Sequence, residues 1–245
     1  MAESRGPFRP EQVRDGDRYE ISRGHPLYVS PAGARHGREH IVGALPLATD
    51  PAVREAGLDV GYALDDDTLR APDIAIGNVP NTPGWAKGAP ALAVEYADRG
   101  TDEDDLQTKI SELLAAGTQA VWVVRLLGPR RVDVHERGAP PRVVADGGML
   151  EAPGILSRPV PVAAMFDHDR ANEVALSNLL ARRGHASVEA VHAGGRVEGL
   201  RHAVQLTCKH LGITIDPTRA AALETADEPM LESLLMELTL QRRWP

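Results

Sequence analysis

Asp73, Glu95 and Lys109 are the residues of this 245-residue chain whose types and spacing could do chemistry together. Two short apolar runs, "PDIAIG" over 72–77 and "ALAVEYA" over 91–97, each hold a single carboxylate. Both read as strands. Side chains alternate across a strand, so Ile74 and Ile76 face one way while Asp73, Ala75 and Gly77 face the other. In the second run Leu92, Val94 and Tyr96 share one face, and Ala91, Ala93 and Glu95 share the opposite one. If the strands are neighbours, the acids converge above a depression lined by small residues. Two unpaired carboxylates there repel one another and resist desolvation unless a cation lies between them. Asp and Glu oxygens are the ligands that Mg²⁺ prefers.

Lys109 adds a third element. On a helix starting near residue 102, Leu106, Ile110, Leu113 and Leu114 form the buried stripe and Lys109 falls at its border. Its stem can lie along the apolar surface while the ammonium reaches past the edge. There it could orient an attacking water or stabilise charge developing on a phosphate. Gln107 projects roughly 160° away and cannot serve the same site. The same residues also fit ordinary roles: Asp73 as a strand-end acid, Glu95 as an edge residue, and Lys109 as the i+4 partner of Asp105. Spacing alone does not separate these readings.

The elements that must position these groups can be read along the chain. "RYEISRGHPLYVS", 18–30, predicts two strands joined by a turn at Gly24, and "RHGREHIVGAL", 35–45, a helix. "LDVGYALDDDTLRAPDIAIG" predicts strand, acidic turn and strand, and a Pro/Gly/Asn-rich loop over 78–90 leads to "ALAVEYA". Thr101 is the expected cap of the next helix, Asp102 to Asp105 suit its dipole, and Gly117 is placed to end it. "AVWVVRLL" reads as a buried central strand with Trp122 in the core, and "RRVDVHE" and "PRVVA" as its hairpin partners. Strands around two helices, with a helical crossover before the central strand, indicate an α/β or α+β core. Beyond residue 167 the texture turns helical. Val197, Leu200, Val204, Cys208 and Leu211 form one amphipathic stripe, and Leu231, Leu234, Leu235 and Leu238 another, after Pro229 near a helix start. The expected division is a domain over 1–167 and a helical C-terminal region over 168–245. Stripes longer than a short appendage can bury point to a homodimer through the C-terminal helices, or else the helices pack on one another and on the first domain.

Bulk properties narrow the function classes. The net charge of −8 is concentrated in residues 1–167, which hold 18 basic against 25 acidic side chains. No basic stripe marks a nucleic-acid surface. The single cysteine, Cys208, excludes an intramolecular disulfide, and no 18-residue apolar run occurs. A cytoplasmic protein with no membrane partner is expected. The nine histidines form no zinc-ligand pattern. His36 and His40, four apart, lack a third ligand in the sequence and read as surface residues. Trp85 reads as an anchor for its Pro/Gly loop. No nucleophile elbow accompanies a serine, and Gly194-Gly195 lacks the strand that a phosphate loop needs.

Five segments in order, "RYEISRGHPLYVSPAGARH", "APDIAIG", "APALAVEYA", "DLQTKISELLAAGTQAVWVV" and "PVPVAAMFD", resemble the Uma-type restriction endonucleases of bacteria. That family is a branch of the PD-(D/E)XK nuclease superfamily. The resemblance covers residues 18 to about 167. It implies a restriction-endonuclease-like mixed sheet flanked by helices, and a metal-dependent endonuclease that hydrolyses DNA phosphodiester bonds. Carried over position by position, Asp73 and Glu95 would bind Mg²⁺, with Mn²⁺ as a substitute, and the Tyr96 carbonyl would be a further ligand. Lys109 would assist attack by water, taking the part of the superfamily's usual lysine, whose place is Ala97 here. Glu20 matches the acid of the Tyr-Glu hairpin, which would either face the same site or be structural as a strand residue. His36 matches the helix-entry histidine and is expected to cap or to face solvent. The chain departs from the family at Ala97-Asp98, at Leu113 in place of a tyrosine, at His25 after the turn glycine, and in "VWVVRLLG", which lacks an acid. These departures bear on substrate handling. The rival reading is a catalytically inactive nuclease-fold protein that binds or assembles through its helical tail.

Overall fold

Why a carboxylate can stand in each apolar run follows from how the strands pair. The structure, a computed structural model, describes residues 6–31 and 33–245. In chain order the elements that matter first are β1 (Tyr19–Ser22), β2 (His25–Tyr28), α1 (Ala34–Ala48), β3 (Ala56–Leu58), β4 (Tyr62–Ala63), β5 (Leu69–Arg70) and β6 (Ile74–Ile76). They are followed by β7 (Ala86–Lys87), β8 (Leu92–Ala97), α2 (Glu103–Ala116), β9 (Ala120–Arg125), β10 (Arg131–Glu136) and β11 (Arg142–Ala145). The central sheet runs β11-β10-β9-β8-β6-β3. Neighbours are antiparallel except β8 and β9, which are parallel and joined by the α2 crossover. A second sheet runs β2-β1-β5-β4-β7. The mixed α/β class is the expected one. The expected second strand of the acidic-turn segment is broken into β5 and β6, either side of Ala71-Pro72.

Both faces of the central sheet are covered. Ile74, Ile76, Leu92, Val94, Tyr96, Trp122 and Val124 pack with Leu47 of α1 in the main core. Ala93, Ala97, Val121 and Val123 pack on the other face against Leu106, Ile110 and Leu113 of α2. The small residues beside Glu95 therefore make room for a helix, where a shallow open depression was expected. Helix α2 begins at Asp102, whose side chain accepts from Asp104 N at 3.0 Å and Asp105 N at 3.1 Å. This replaces the expected cap, because the Thr101 hydroxyl instead accepts from Asp98 N at 3.0 Å. Gly117 ends the helix at φ +124°, a backbone conformation that favours glycine.

Helix α1 approaches β8 closely at Gly43. A β-carbon there would collide with Tyr96 Oη and press on Met165 Cε. Gly→Ala normally helps a helix by up to about 1 kcal/mol. Here the collision should reverse the sign, with Gly43→Ala costing about 1–3 kcal/mol and shifting Tyr96. Urea unfolding of the variant against the parent checks this; a stabilised variant would contradict the close approach.

The chain divides into two compact units, 1–182 and 183–245. Helix α3 (His168–Arg182), which the sequence reading places in the tail, lies in the first unit. It buries the small residues Ala171 and Ala175. Asn178 donates to Pro46 O at 3.0 Å, and the Arg182 guanidinium donates to Ala48 O at the end of α1 and to Asp50 O and Val53 O beyond it. Pro46 O and Ala48 O are among the carbonyls that the end of α1 leaves without an intrahelical partner.

The second unit consists of α4 (Val188–Leu211), α5 (Pro217–Thr225) and α6 (Glu228–Gln241) with their connections. Ser187 caps α4, and Asp227 caps α6 ahead of Pro229. The two expected stripes face each other: Val204 and Cys208 of α4 are buried with Leu231 and Leu238 of α6 and Leu223 of α5. Among the described residues no helix is long and apolar enough to cross a membrane.

Candidate active site

The antiparallel register Ile74↔Val94 places Asp73, one residue earlier, across from Glu95, one residue later. Asp73 Oδ2 accepts from Tyr96 N at 2.6 Å, a charge-assisted bond that fixes the carboxylate at the end of β8. The pairing sets the two residues across from each other; the Asp73 carboxylate then meets α1, and that of Glu95 meets Lys109 of α2.

Lys109 reaches the same end of the sheet from α2 and is buried there. Its Nζ donates to Ala71 O at 2.8 Å and to Glu95 Oε2 at 3.1 Å, and lies 3.1 Å from Glu20 Oε1. Glu95 Oε1 is 3.0 Å from the same nitrogen, has no aligned donor among the described residues, and is inaccessible to solvent. The alternative partner, Asp105, turns instead to Arg70 at 3.4 Å. Gln107 bonds Glu103 on the exposed side of α2, away from the site.

Electrostatics follow from this crowding. Burial opposes the Lys109 ammonium, but the Glu20, Glu95 and Asp73 carboxylates outweigh it and hold the group charged well above its usual range. Burial drives the Glu95 carboxyl upward; Lys109 opposes the rise, while Asp73 and Glu20 add to it. Burial also disfavours the Asp73 carboxylate, yet His36, His40 and Lys109 prevail and hold it well below the usual range. Burial pushes the nearby Asp59 carboxyl up, and the Asp73 charge adds to it. Carboxylate oxygens of the type a divalent cation takes are gathered here, with Glu95 and Glu20 charge-paired to Lys109 and Asp73 accepting from Tyr96 N.

Sequence reasoning missed the frame around Glu20 and Lys109. Arg70, fully buried on β5, donates to Glu20 Oε2 at 3.0 Å and to Glu112 Oε2 at 2.6 Å. Ser22 Oγ donates to Glu112 Oε1 at 2.6 Å. Burial works against the Arg70 guanidinium, and Glu20 and Glu112 more than offset it, raising its pKa. Glu20 is thereby shared between Arg70 and Lys109.

The histidines require a correction. His40 is buried, and His36 is partly covered. Each brings Nε2 to 3.3 Å from Asp73 Oδ2. The third group absent from the local sequence is Asp73, delivered by β6. The hydrogen bond to Asp73 raises the His36 pKa against the effect of burial. Trp85 is the expected loop anchor: Nε1 lies 3.1 Å from Pro10 O and 3.3 Å from Val13 O, both within donating reach.

The model of the Uma2 family, described as "Putative restriction endonuclease", matches residues 8–162, well over half of the chain. The chain belongs to the Uma2 family. A crystal structure of a putative nuclease belonging to DUF820 from Anabaena variabilis is similar, with a TM-score of 0.55 at 15% identity. The alignment covers 66% of this chain and 99% of that one. At this identity the likeness establishes the shared fold. No curated protein gives a significant match. Residues 73, 95 and 109 all lie within the Uma2 match, as do Glu20, Arg70 and both histidines. The unit over 183–245 lies outside it.

Proposed function

We propose that this Uma2 chain is a divalent-metal-dependent endonuclease that hydrolyses DNA phosphodiester bonds. The observation that carries the reading is the placement of Asp73 across from Glu95, with Lys109 held between Glu95 and Glu20. In this reading Asp73 and Glu95 hold Mg²⁺, or Mn²⁺ in its place, together with the main-chain carbonyl of Tyr96. The cation would supply neutralisation of the phosphate's charge and polarisation of its oxygens. Tyr96 N–H keeps the Asp73 carboxylate oriented by its 2.6 Å bond. Lys109 presents a buried positive charge to the phosphate as negative charge develops in attack by water. Glu20 positions Lys109, and Arg70 in turn holds Glu20.

The test is incubation of supercoiled plasmid and of single-stranded DNA with Mg²⁺ or Mn²⁺, beside Asp73→Ala. Cleavage by the parent and none by the variant is expected. Metal binding without cleavage by the parent would replace this reading with that of an inactive nuclease-fold protein.

Two further parts of the reading concern the whole chain. A cytoplasmic location accords with the buried, reduced thiol of Cys208. A homodimer through the C-terminal helices accords with Leu206, Met236 and Leu240, which are more than half exposed on α4 and α6. Sedimentation velocity of the full chain should give a dimer, and Met236→Glu with Leu240→Glu a monomer. A monomeric parent rules the dimer out.

A further inference from the structure

Helix α1 brings a different kind of donor to Asp73. His36 and His40 lie one helical turn apart, so their side chains project from neighbouring positions on one face. Their rings meet edge to face with centroids 4.5 Å apart. Both Nε2 atoms are 3.3 Å from Asp73 Oδ2, and one ligand atom from each of the three residues lies within 4.8 Å of the others. We propose that His36 Nε2, His40 Nε2 and Asp73 Oδ2 form a binding site for a transition-metal dication such as Zn²⁺, Mn²⁺ or Co²⁺. This goes beyond the nuclease reading, in which Asp73 and Glu95 hold Mg²⁺ through oxygen alone.

Three observations carry the inference. The first is donor chemistry: imidazole nitrogen suits zinc and its transition-metal neighbours, whereas Mg²⁺ selects oxygen. The second is distance. Metal–ligand bonds of about 2.0–2.1 Å arranged tetrahedrally place the ligand atoms about 3.3–3.4 Å apart. Both nitrogen–oxygen separations match that edge length. The third is an unsatisfied group. His40 is only 5% exposed, and among the described residues its Nε2 makes no aligned hydrogen bond. A buried imidazole nitrogen aimed at a carboxylate oxygen without a shared proton in line is the arrangement that a metal ion resolves.

The surroundings support a built site. Tyr96 N–H holds the ligating oxygen from outside the donor set, as groups around metal ligands commonly do. The Tyr96 ring lies 5.4 Å from the His40 ring and 6.4 Å from the His36 ring, covering the inner side. Tyr96 Oη is itself tied to Met165 O at 3.1 Å. The His36 side chain is 25% exposed and that of Asp73 15%, so an ion can enter from solvent.

Chelator-treated full-length protein, titrated with Zn²⁺ by calorimetry and with Co²⁺ by visible absorption, tests the site. One equivalent of Co²⁺ should develop ligand-field bands that Zn²⁺ abolishes. His36→Ala and His40→Gln should each weaken Zn²⁺ binding by about tenfold or more. Should His40→Gln fail to fold, His36→Ala at the partly exposed position decides alone. Zn²⁺ binding that survives His36→Ala, or Co²⁺ without ligand-field bands, overturns the proposal. Zn²⁺ binding that depends on His36 in a protein that cuts no DNA leaves this site standing and removes the nuclease reading. Mg²⁺-dependent cleavage with His36-independent Zn²⁺ binding does the reverse.

Discussion

Lys109→Met is expected to slow metal-dependent DNA cleavage by about 10²–10³-fold without weakening divalent-cation binding. Methionine keeps the length and volume that Lys109 occupies against α2's apolar neighbours, but it brings no charge. The lost ammonium is the group that lies 3.0–3.1 Å from Glu95 and Glu20 oxygens. Without it those carboxylates face one another more directly, so a cation should bind as well as before or more tightly. Asp73→Asn and Glu95→Gln should behave differently, losing metal affinity and cleavage together. Calorimetric Mg²⁺ and Mn²⁺ titrations beside a plasmid-nicking assay separate the two patterns. A Lys109→Met protein that cuts at the parent rate contradicts the role assigned to Lys109. One that also loses its metal shows the lysine to be structural.

Arg70→Met should destabilise the first unit by about 3–5 kcal/mol, the cost typical of removing one partner from a buried ionic group. Arg70 has no solvent exposure and serves both Glu20 and Glu112, which are themselves buried. Its removal leaves the two carboxylates in a low-dielectric environment, where each must be protonated or rehydrated. Adding Glu112→Gln should recover part of the loss, because the amide carries no charge to desolvate. Urea unfolding followed by the fluorescence of Trp85 and Trp122, with Trp244→Phe silencing the second unit, measures this. A loss below about 1 kcal/mol would mean that the network behaves like exposed ion pairs. The same variant should also reduce cleavage, since Glu20 then loses one of the two groups that hold it beside Lys109.

Much of the candidate site was legible along the chain. A period of two in "ALAVEYA" turns Glu95 toward α2, and the register of Ile74 with Val94 sets Asp73 across from it, although the Asp73 carboxylate meets α1. The helical period of α2 places Lys109 beside the apolar stripe, with its head free to turn toward the sheet. Asp102 and Gly117 mark the ends of that helix, although capping fell one residue later than expected because Thr101 bonds Asp98. These are local properties: backbone geometry repeats, so side-chain direction can be counted off residue by residue.

Other features depended on tertiary structure. Nothing near His36 and His40 in the sequence supplies a third ligand; Asp73 becomes their neighbour only because α1 packs beside the ends of β6 and β8. Arg70 carries no sign of burial, and its partners come from β1 and α2. Helix α3 reads as part of a tail, yet Arg182 ends it on carbonyls at and beyond the end of α1. The two stripes of α4 and α6 could each have sought an external partner, and the fold instead turns their centres toward each other. Periodicity along a chain states which side of an element is apolar, because that depends on neighbours a few residues away. Which charged groups meet across elements depends on register and helix packing, and those are set by contacts between residues distant in sequence.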